Sequence, residues 1–548
     1  MIKKWIISPL KNKDIVLQLL INRKIKKEQW RSFLEPNFDN DLHNPFLMKG
    51  MDEAVKRFVK AIDNNETIGL FGDYDADGIP GTALLYDCLQ KLGKNAKIYI
   101  PSREQGYGLN TEGIDYFIQE KVTLMITIDL GIRNEKEIEY ASQNSIETIV
   151  IDHHEPGDKL PEAIILDPKQ KNDKYPFKEL AATGVVFKFL QGLSKKVPEI
   201  NTKYLKWSLD FVAISTICDI VPLIDENRIF VKFGLIVLKK TKRIGLIELY
   251  KKSAILAENI DTYAIGFQIG PRLNAPGRID NANESFYLLT TNDPKKANVL
   301  AEKLDNINRR RQAELDRVLT EAREKVCREG LDKRKIILVE GKDWPHGIIG
   351  LVAGRLMEEF ARPVIVCERR PKDLRGSARS IDAYNIIEAL DYAKKYLIKY
   401  GGHKKAAGLS LEIEHLSNLY DKLQELAESK LKDDDLVPKI KIDAKLNLKN
   451  ITSDLLKKLQ QFEPFGLGNP RPVFTLENID ISEARTVGDL GKHLKINING
   501  LDAIGFGLGN FLEEILKRPK VDLVFTIDEN NWNDRRKIQL KIIDLKMR

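Results

Sequence analysis

The sequence predicts an α/β protein: a parallel-sheet domain and a smaller α/β domain joined by a long helix, followed by a C-terminal β-barrel. From about residue 65 to 235, short apolar strands alternate with amphipathic helical stretches, a pattern typical of a mostly parallel sheet. Residues 293–330 keep a helical period, whereas the stretch from 437 to the end alternates in period two. The 548 residues are enough for several domains of about 150 residues each.

Composition and charge restrict the class of protein only loosely. The net charge of +8 is modest for this length, so it permits nucleic-acid binding without indicating it. The four cysteines form no CxxC pair, which argues against zinc knuckles and disulfide frameworks and favours a reducing compartment. Ser8 and Pro9 interrupt the first apolar run, and no later run is long enough to span a membrane. We therefore expect a cytoplasmic protein without a membrane partner.

Four apolar segments are expected to form strands of the first domain, placed at residues 51–292 after an N-terminal segment of residues 1–50. They are TIGLF (67–71), LMITI (124–128), ETIVI (147–151) and AIILD (163–167). Acidic or histidine residues follow three of these strands, in GDYDAD, IDLG and IDHHEPG. Because ligands of open α/β sheets bind at the carboxyl ends of the strands, we expect the chemistry along this edge.

Residues 293–330 are predicted to form the connecting helix. Asp293 can cap it, Pro294 suits its first turn and Gly330 suits its end. A helix of this length usually bridges two domains. The alternative is a coiled-coil dimer, but the apolar stripe is broken at residues 309–311. We therefore expect a monomer.

A second α/β unit is predicted at residues 331–430, followed by the charged linker LKDDDLVPK (431–439). Short alternating strands with one inserted helix then predict a small barrel at residues 437–548, most consistent with an oligonucleotide-binding (OB) fold. Basic and aromatic residues interleave there, as in barrels that hold single strands without reading sequence. They are Phe462, Phe465, Phe474, Phe506, Trp532, Lys492, His493, Lys495, Arg535 and Arg536. Most of the phenylalanines are expected to be core residues, so only the role of the domain is predicted.

Acidic and histidine residues collect after the first strands and in the later segment STICDIVPL. They are Asp73, Asp75, Asp77, Asp129, Asp152, His153, His154 and Asp219. The alternating Asp73, Asp75 and Asp77 repel one another unless they form a solvated acidic loop or bind a cation. Carboxylates with imidazole suit Mn²⁺, Mg²⁺ or Zn²⁺, and the lack of thiolates disfavours structural zinc. Two metals need a bridging carboxylate, and Asp129, at the end of a middle strand, is the expected bridge.

Taken together, these stretches resemble the DHH phosphoesterase superfamily. DYDADG, IDLG, DHH and CDIVPL are similar to its four motifs, and GSARS followed by GGHKKAAG is similar to its companion DHHA1 domain. With QIGPRLNAPGRI and the barrel, nearly the whole chain resembles the RecJ family of bacterial single-stranded-DNA exonucleases. The resemblance implies phosphodiester hydrolysis with two divalent metal ions, Mn²⁺ being preferred and Mg²⁺ the alternative.

The same resemblance assigns ligands and catalytic residues. The implied ligands are Asp73, Asp75 and Asp129 for one ion, and Asp77, Asp129, His153 and Asp219 for the other. His154 would face the phosphate as an electrostatic partner or a proton donor, and Asp129, Asp152 and His154 are the expected catalytic residues. The sequence departs from the family at Phe71, where many members have a histidine, and Asp73 would take its place.

Further residues are candidates for holding the phosphates of a strand. The segment QIGPRLNAPGRID offers Arg272, Asn274 and Arg278, and its proline and glycine content predicts a fixed loop rather than a helix. An arginine there can bind phosphate oxygens bidentately. The resemblance adds a pocket for a 5′-terminal phosphate, formed by Arg103, Ser377 and Arg379.

GGHKKAAG is a second candidate phosphate-binding segment. Gly401 and Gly402 have no side chain to block an approaching phosphate, and His403 can donate a hydrogen bond to one of its oxygens. We expect a helix to start after the glycines, since the amides at a helix start favour anions.

The leading hypothesis is a metal-dependent 5′→3′ exonuclease that degrades single-stranded DNA to 5′-mononucleotides. Its role in DNA repair and recombination is implied by the resemblance only, as are single-strand binding protein and a helicase as partners. No Walker A motif is present, so a helicase motor has no support. The alternatives are a phosphodiesterase for very short oligonucleotides or cyclic dinucleotides and a catalytically inactive DNA-binding scaffold.

Overall fold

The structure, a computed structural model, describes residues 3–102, 105–106, 108–279, 282–532 and 535–548. The chain divides into two units. The smaller contains Met1–Ile6 with Asn306–Ile440, and the larger contains Ile7–Asp305 with Lys441–Arg548. The predicted fold class is confirmed: a parallel-sheet domain, a smaller α/β domain, a long helix and a C-terminal domain of β-strands.

The larger unit contains the predicted parallel sheet, whose strand order is β3-β2-β4-β5-β6. The elements up to residue 290, in chain order, are β1 (Lys4–Ile7), α1 (Ile15–Asn22), α2 (Trp30–Leu34), α3 (Met51–Asp63), β2 (Ile68–Gly72), α4 (Gly78–Lys91), β3 (Ala96–Tyr99), α5 (Thr111–Gln119), β4 (Leu124–Ile128), α6 (Glu135–Gln143), β5 (Glu147–Ile151), β6 (Ile164–Leu166), α7 (Ala182–Leu193), α8 (Thr202–Trp207), α9 (Leu209–Cys218), α10 (Asp225–Lys239), α11 (Ile244–Lys252), α12 (Thr262–Ala264), α13 (Gly270–Asn274), α14 (Pro276–Ile279) and α15 (Asn283–Thr290). β2 and β4 are buried along their whole length, which explains their continuous apolar sequences.

The long helix, α16 (Pro294–Arg328), has 35 residues. Asp293 begins it, since its Oδ1 accepts a hydrogen bond from Lys295 N at 2.8 Å, and Gly330 follows it with a left-handed φ of +66°. Leu300 and Leu304 belong to the core of the parallel-sheet domain. Further along, Val318, Ala322 and Val326 belong to a core of the smaller unit. The apolar stripe is thus used within this chain, which favours a connecting helix over a coiled coil.

The smaller unit contains a sheet of order β10-β11-β9-β8-β7, in which only β7 and β8 are parallel. Its elements are β7 (Ile337–Gly341), α17 (His346–Phe360), β8 (Val364–Arg369), β9 (Asp373–Arg379), α18 (Ile386–Tyr392), β10 (Lys399–His403), β11 (Ala406–Glu412) and α19 (Leu416–Lys430). The expectation of a helix start after Gly401 and Gly402 is wrong. These glycines and His403 lie on β10, which continues into β11 through a tight turn, so no helix amides are available there.

The C-terminal domain has a seven-stranded sheet of order β13-β14-β18-β19-β17-β16-β15. Its elements are β12 (Lys439–Ile442), β13 (Ala444–Lys445), α20 (Ser453–Gln460), β14 (Phe474–Asp480), β15 (Glu483–Val487), β16 (His493–Ile498), β17 (Leu501–Gly505), α21 (Leu512–Lys517), β18 (Lys520–Trp532) and β19 (Arg535–Met547). Leu19, Leu20 and Phe33, from α1 and α2, are buried in the same core as this sheet. The N-terminal helices therefore pack as part of the barrel domain.

Candidate metal centre

The predicted ligands lie at the carboxyl edge of the parallel sheet. Asp73 follows β2, Asp129 follows β4 and Asp152 follows β5. Backbone hydrogen bonds extend the strand pairing by one residue, from Asp73 N to Ile128 O at 3.2 Å and from Asp129 N to Ile151 O at 2.9 Å. Adjacent strand ends therefore carry successive carboxylates, as the sequence predicts.

The ligand atoms form three overlapping groups, each with its atoms within 4.8 Å of one another. The groups are Asp73, Asp75 and Asp129; Asp77, His153 and Asp219; and Asp129, His153 and His154. Asp129 and His153 each belong to two groups, and Asp129 Oδ1 lies 3.3 Å from His153 Nε2. Asp129 has a left-handed φ of +67°, which aspartate tolerates and which occurs at functional sites. The structure thus gives Asp129 the central position expected of a bridging ligand.

The electrostatics of the centre favour cations. Burial raises the pKa of Asp129 well above its ordinary value, and the surrounding carboxylates, Asp77 foremost, raise it further. Burial followed by Asp77 also raises the pKa of Asp219. The pKa of His153 is lowered by burial, so its imidazole is neutral and suited to metal ligation. Carboxylate oxygens with neutral imidazole fit Mn²⁺ or Mg²⁺, whose charge would offset the repulsion among the carboxylates.

Asp77 is oriented by donors that the sequence analysis did not identify. Its carboxylate accepts hydrogen bonds from Ala182 N at 2.8 Å and Thr183 N at 2.9 Å, at the start of α7, and from the Ser215 hydroxyl at 2.5 Å. The amides of a helix N-terminus stabilise a negative charge. Ser215 lies four residues before Asp219 on α9, and this helical spacing was the one available signal.

The first acidic motif is shaped by a turn into α4. Asp75 Oδ1 accepts hydrogen bonds from Asp77 N at 2.8 Å and Gly78 N at 3.1 Å. A Cβ at position 78 would lie 2.7 Å from the carbonyl oxygen of Asp73, so this approach requires glycine. Phe71, at the departure from the family pattern, is buried against Phe117 and contributes to a hydrophobic core. Asp73, and not residue 71, therefore belongs to a ligand group.

His154, a member of one ligand group, forms a pair with Asp152, which belongs to none of them. Asp152 Oδ1 accepts a hydrogen bond from His154 Nδ1 at 2.7 Å. Burial alone would lower the pKa of His154, but this hydrogen bond and the nearby carboxylates raise it to about 9. The imidazole is therefore charged at neutral pH, while Asp152 serves as its carboxylate partner and belongs to none of the ligand groups of the described residues.

The segment predicted as a phosphate-binding loop differs from expectation. Residues 270–274 and 276–279 form α13 and α14, and Pro271 and Pro276 lie in the first two positions of these helices, where proline is tolerated. Arg272 pairs with Asp305 at 2.8 Å and donates to the carbonyl of Gln268 at 2.8 Å. Asn274 Oδ1 accepts a hydrogen bond from Ala76 N at 2.8 Å, inside the first acidic motif. Arg278 lies on α14, next to Gly277.

Gly277 fixes the position of α14 near the first acidic motif. A Cβ at this residue would lie 2.7 Å from the carbonyl oxygen of Tyr74. The backbone on either side of Arg278 is therefore close to the ligand segment that contains Asp73 and Asp75.

The smaller unit brings Ser377 and Arg379 together. Arg379 Nη1 donates to Ser377 Oγ at 3.2 Å, and burial lowers the pKa of the Arg379 guanidinium. Ser377 pairs with Gly408 of β11, which pairs in turn with Gly401 of β10. A Cβ at either glycine would meet no atom within 4 Å, so the sheet surface beside Ser377 is open.

The other residues predicted to bind phosphate are Gly402 and His403, which the structure describes, and Arg103, which it does not. Gly402 and His403 continue the same strand, β10, beyond Gly401. Arg103, predicted for the same 5′-phosphate pocket, lies outside the described residues.

In the barrel domain, Phe462 and Phe474 are fully buried in the core, as predicted for most of its phenylalanines. Phe465 lies beneath the guanidinium of Arg471 at 4.8 Å. Phe506 is 60% exposed, and its ring centroid lies 5.1 Å from that of His493, so it offers an aromatic face to solvent. Lys492 and Lys495 lie on either side of His493 in the chain. The side chains of Trp532, Arg535 and Arg536 are outside the described set.

Comparisons with known proteins agree with this architecture. The DHH family N-terminal domain matches residues 67–216, the DHHA1 domain matches residues 333–429, and the RecJ OB domain matches residues 442–544. The fold and the paired ligand groups define a DHH-type metal-dependent phosphoesterase. The chain belongs to the RecJ family.

The similarity extends over most of the chain. The single-stranded-DNA-specific exonuclease RecJ of Bacillus subtilis (strain 168) is 37% identical over 539 residues, which are 97% of this chain and 67% of that protein. RecJ of Haemophilus influenzae is 31% identical over 91% of both chains. The crystal structure of Thermus thermophilus RecJ in complex with Mn²⁺ matches with a TM-score of 0.84 at 27% identity, covering 100% of this chain and 80% of that one.

Among the described residues, no helix has both the length and the apolar character that a membrane crossing requires.

Proposed function

We propose that the chain hydrolyses single-stranded DNA from its 5′ end, with two divalent metal ions, to 5′-mononucleotides. The shared position of Asp129 carries the proposal, because a carboxylate common to two ligand groups is what a two-metal centre needs. The relatives that are named single-stranded-DNA-specific exonucleases support the substrate class.

The proposed ligand assignment is the one that the family resemblance implies: Asp73, Asp75 and Asp129 would hold one ion, and Asp77, Asp129, His153 and Asp219 would hold the other. It is supported by the groups Asp73/Asp75/Asp129 and Asp77/His153/Asp219, and by Asp129 Oδ1 lying 3.3 Å from His153 Nε2. When bound, the ions would polarise the phosphodiester and lower the pKa of a water molecule. Ala182 N, Thr183 N and Ser215 keep Asp77 oriented for this purpose.

Hydrolysis adds one water across the bond between phosphorus and the 3′ oxygen. The water oxygen becomes part of the new 5′-phosphate of the shortened strand, and the 3′ oxygen of the released nucleotide takes a proton. His154, charged at neutral pH and held by Asp152, would neutralise the phosphate or donate that proton.

The direction of attack would follow from capture of the terminal phosphate. Ser377 and Arg379, with Arg103 from the resemblance, would bind a 5′-phosphate, and the open strand surface at Gly401 and Gly408 would admit its oxygens, with Gly402 and His403 next to it on β10. Arg278 and Arg272 would contact phosphates nearer the metals, and Asn274 would support the first acidic motif. The barrel domain, with Phe506 exposed, would hold the trailing strand.

We further propose that the enzyme acts as a cytoplasmic monomer in DNA repair and recombination. Single-strand binding protein and a helicase are the partners proposed for it, since a substrate strand must be exposed and stabilised before it is degraded.

The test is cleavage of a single strand labelled at its 3′ end, in Mn²⁺, by the full chain and by Asp129→Asn. Asp115→Asn, at an aspartate on α5 outside the ligand groups, is the control. We expect the wild type and the control to give a ladder of progressively shortened labelled strands, and Asp129→Asn to be at least about 100-fold slower.

Other outcomes would contradict the proposal in different ways. One short labelled product would indicate attack from the 3′ end. Faster cleavage of a dinucleotide than of a long strand would favour a small-substrate phosphodiesterase, and no cleavage without stoichiometric Mn²⁺ binding would favour an inactive scaffold.

A further inference from the structure

A loop of the barrel domain contacts the segment that begins with the metal ligand Asp219. The barrel loop, residues 461–470, accepts a hydrogen bond at Leu467 O from Leu223 N, at 2.7 Å. A Cβ at Gly466 would lie 2.7 Å from Leu223 Cδ1, and a Cβ at Gly468 would lie 3.1 Å from Pro222 Cβ. The backbone of the loop is thus in close contact with the ligand segment, residues 219–224.

The barrel loop is itself held by a buried arginine of the parallel-sheet domain. Arg228, on α10, is 1% exposed and donates to Gln461 O and Phe462 O, each at 2.8 Å. Asn469 Nδ2 ties the loop together by donating to Phe462 O at 2.7 Å and Pro464 O at 2.9 Å. These hydrogen bonds fix the loop to the same domain that provides the metal ligands.

The ligand segment needs such support. Ile220, the residue after Asp219, has a φ of +58°, in a left-handed region that β-branched residues strongly disfavour. Its side chain is 68% exposed, so its own packing does little to hold this conformation. Backbone hydrogen bonds hold the segment at both ends, from Asp219 N to Ser215 O at 2.9 Å and from Leu223 N to Leu467 O.

We propose that the barrel loop is a positioning element of the metal centre. By holding Leu223 and Pro222, it keeps Ile220 in its strained conformation and the Asp219 carboxylate beside His153, 3.7 Å from its Nδ1. The C-terminal domain would then contribute to metal affinity as well as to nucleic-acid binding. This inference rests on the proposed two-metal function.

The test compares two glycine variants of the full-length chain. Gly468 has a φ of +75° and contacts Pro222, whereas Gly500 has a φ of +87° and meets no atom within 4 Å. Alanine introduces backbone strain at both positions, but only Gly468→Ala also presses on the ligand segment. Calorimetric titration with Mn²⁺ should show affinity at one site weakened about tenfold in Gly468→Ala and unchanged in Gly500→Ala. Cleavage by Gly468→Ala should recover at high Mn²⁺, a rescue that a general folding defect would not give.

A second variant keeps the inference testable if Gly468→Ala fails to fold. Gly466 has no left-handed φ, so Gly466→Ala disturbs Leu223 without backbone strain and should weaken Mn²⁺ binding in the same direction. If the wild type binds two ions and the folded loop variants bind them equally well, the positioning role is overturned. If the wild type binds no Mn²⁺, the proposed function fails instead.

Discussion

Asp219 Oδ2 lies 3.7 Å from His153 Nδ1, so the residue that follows helix α9 completes a ligand group with a histidine two residues beyond strand β5. Burial and the carboxylates of Asp77 and Asp75 raise the pKa of Asp219. The buried position beside Asp77 and Asp75 that would serve a bound metal is therefore unfavourable for the charged Asp219 carboxylate when no cation compensates it.

Replacing Asp219 should raise the stability of the metal-free protein and weaken its stabilisation by Mn²⁺. In EDTA, Asp219→Asn should unfold at a higher temperature than the wild type, by about 2 °C, because a repulsion on the order of 1 kcal/mol is removed. Saturating Mn²⁺ should stabilise the wild type, by about 2.7 kcal/mol at 100 times the Kd, and the variant much less. Differential scanning calorimetry in both buffers measures this. A variant less stable than the wild type in EDTA would show that Asp219 is not repelled in the metal-free protein.

Asp152→Asn should slow catalysis without weakening metal binding. Asp152 accepts hydrogen bonds from His154 Nδ1, from His153 N at 2.8 Å and from Ile132 N at 3.0 Å, so it orients His154 and contributes no ligand atom to the described groups. Loss of such a supporting carboxylate typically costs about 10–100-fold. Single-turnover cleavage and Mn²⁺ calorimetry measure the two effects.

A matched control for Asp152 is the buried Asp167, which follows the next strand, β6. Burial raises the pKa of Asp167 to about 8, so its carboxyl is largely neutral at pH 7 and asparagine resembles that form. Asp167→Asn should therefore retain nearly full activity. If both variants lost the same fraction of cleavage activity, the effect of Asp152→Asn would come from disturbed packing and not from the lost orientation of His154.

The sequence allowed the inner strands β2, β4 and β5 to be predicted closely because they are almost entirely buried, whereas the half-buried edge strand β3 was not predicted. β4 and β5 have the predicted limits, and β2 is displaced by one residue. The clustering of the candidate ligands was also predictable, since Asp73, Asp129 and His153 come at the ends of strands that meet at one edge of the sheet. Residues 270–279 were mispredicted, because proline at a helix start and proline in a loop look the same in sequence.

Most of the supporting contacts were beyond sequence reasoning. Thr183, Ser215 and Asn274 orient the acidic motifs through hydrogen bonds between residues far apart in the chain. The contacts of Arg228 were likewise not predictable. Its partners are backbone carbonyls of the barrel loop, and every residue type has such a carbonyl.

Gly350→Ala should reduce recognition of a 5′-phosphate. A Cβ at Gly350, on α17, would lie 2.9 Å from Ser377 Oγ and 3.0 Å from Arg379 Nη2, so it would crowd the proposed phosphate pocket. We expect the preference for 5′-phosphorylated over 5′-hydroxyl strands to fall about tenfold, the equivalent of one hydrogen bond to a charged group. Cleavage rates on the two substrates measure this ratio.

Gly354 offers a control on the same helix, because a Cβ there would meet no atom within 4 Å. Replacing glycine by alanine raises helix propensity by about 1 kcal/mol at either position, so Gly354→Ala should be slightly more stable than the wild type. It should keep the wild-type preference for 5′-phosphorylated over 5′-hydroxyl strands. An unchanged preference in Gly350→Ala would place the terminal phosphate elsewhere.

His43 should make the free energy of unfolding depend on pH. Its Nε2 lies 2.8 Å from Asp225 Oδ1, and this hydrogen bond raises the pKa of His43 above the usual value of about 6.5. A raised folded-state pKa gives stability that is fully present below the unfolded-state pKa and is lost as pH rises through the folded-state pKa. In EDTA, the unfolding temperature of the wild type relative to His43→Gln should thus be higher at about pH 5.5 than at about pH 8.5. A pH-independent gap between the wild type and His43→Gln would contradict the assignment.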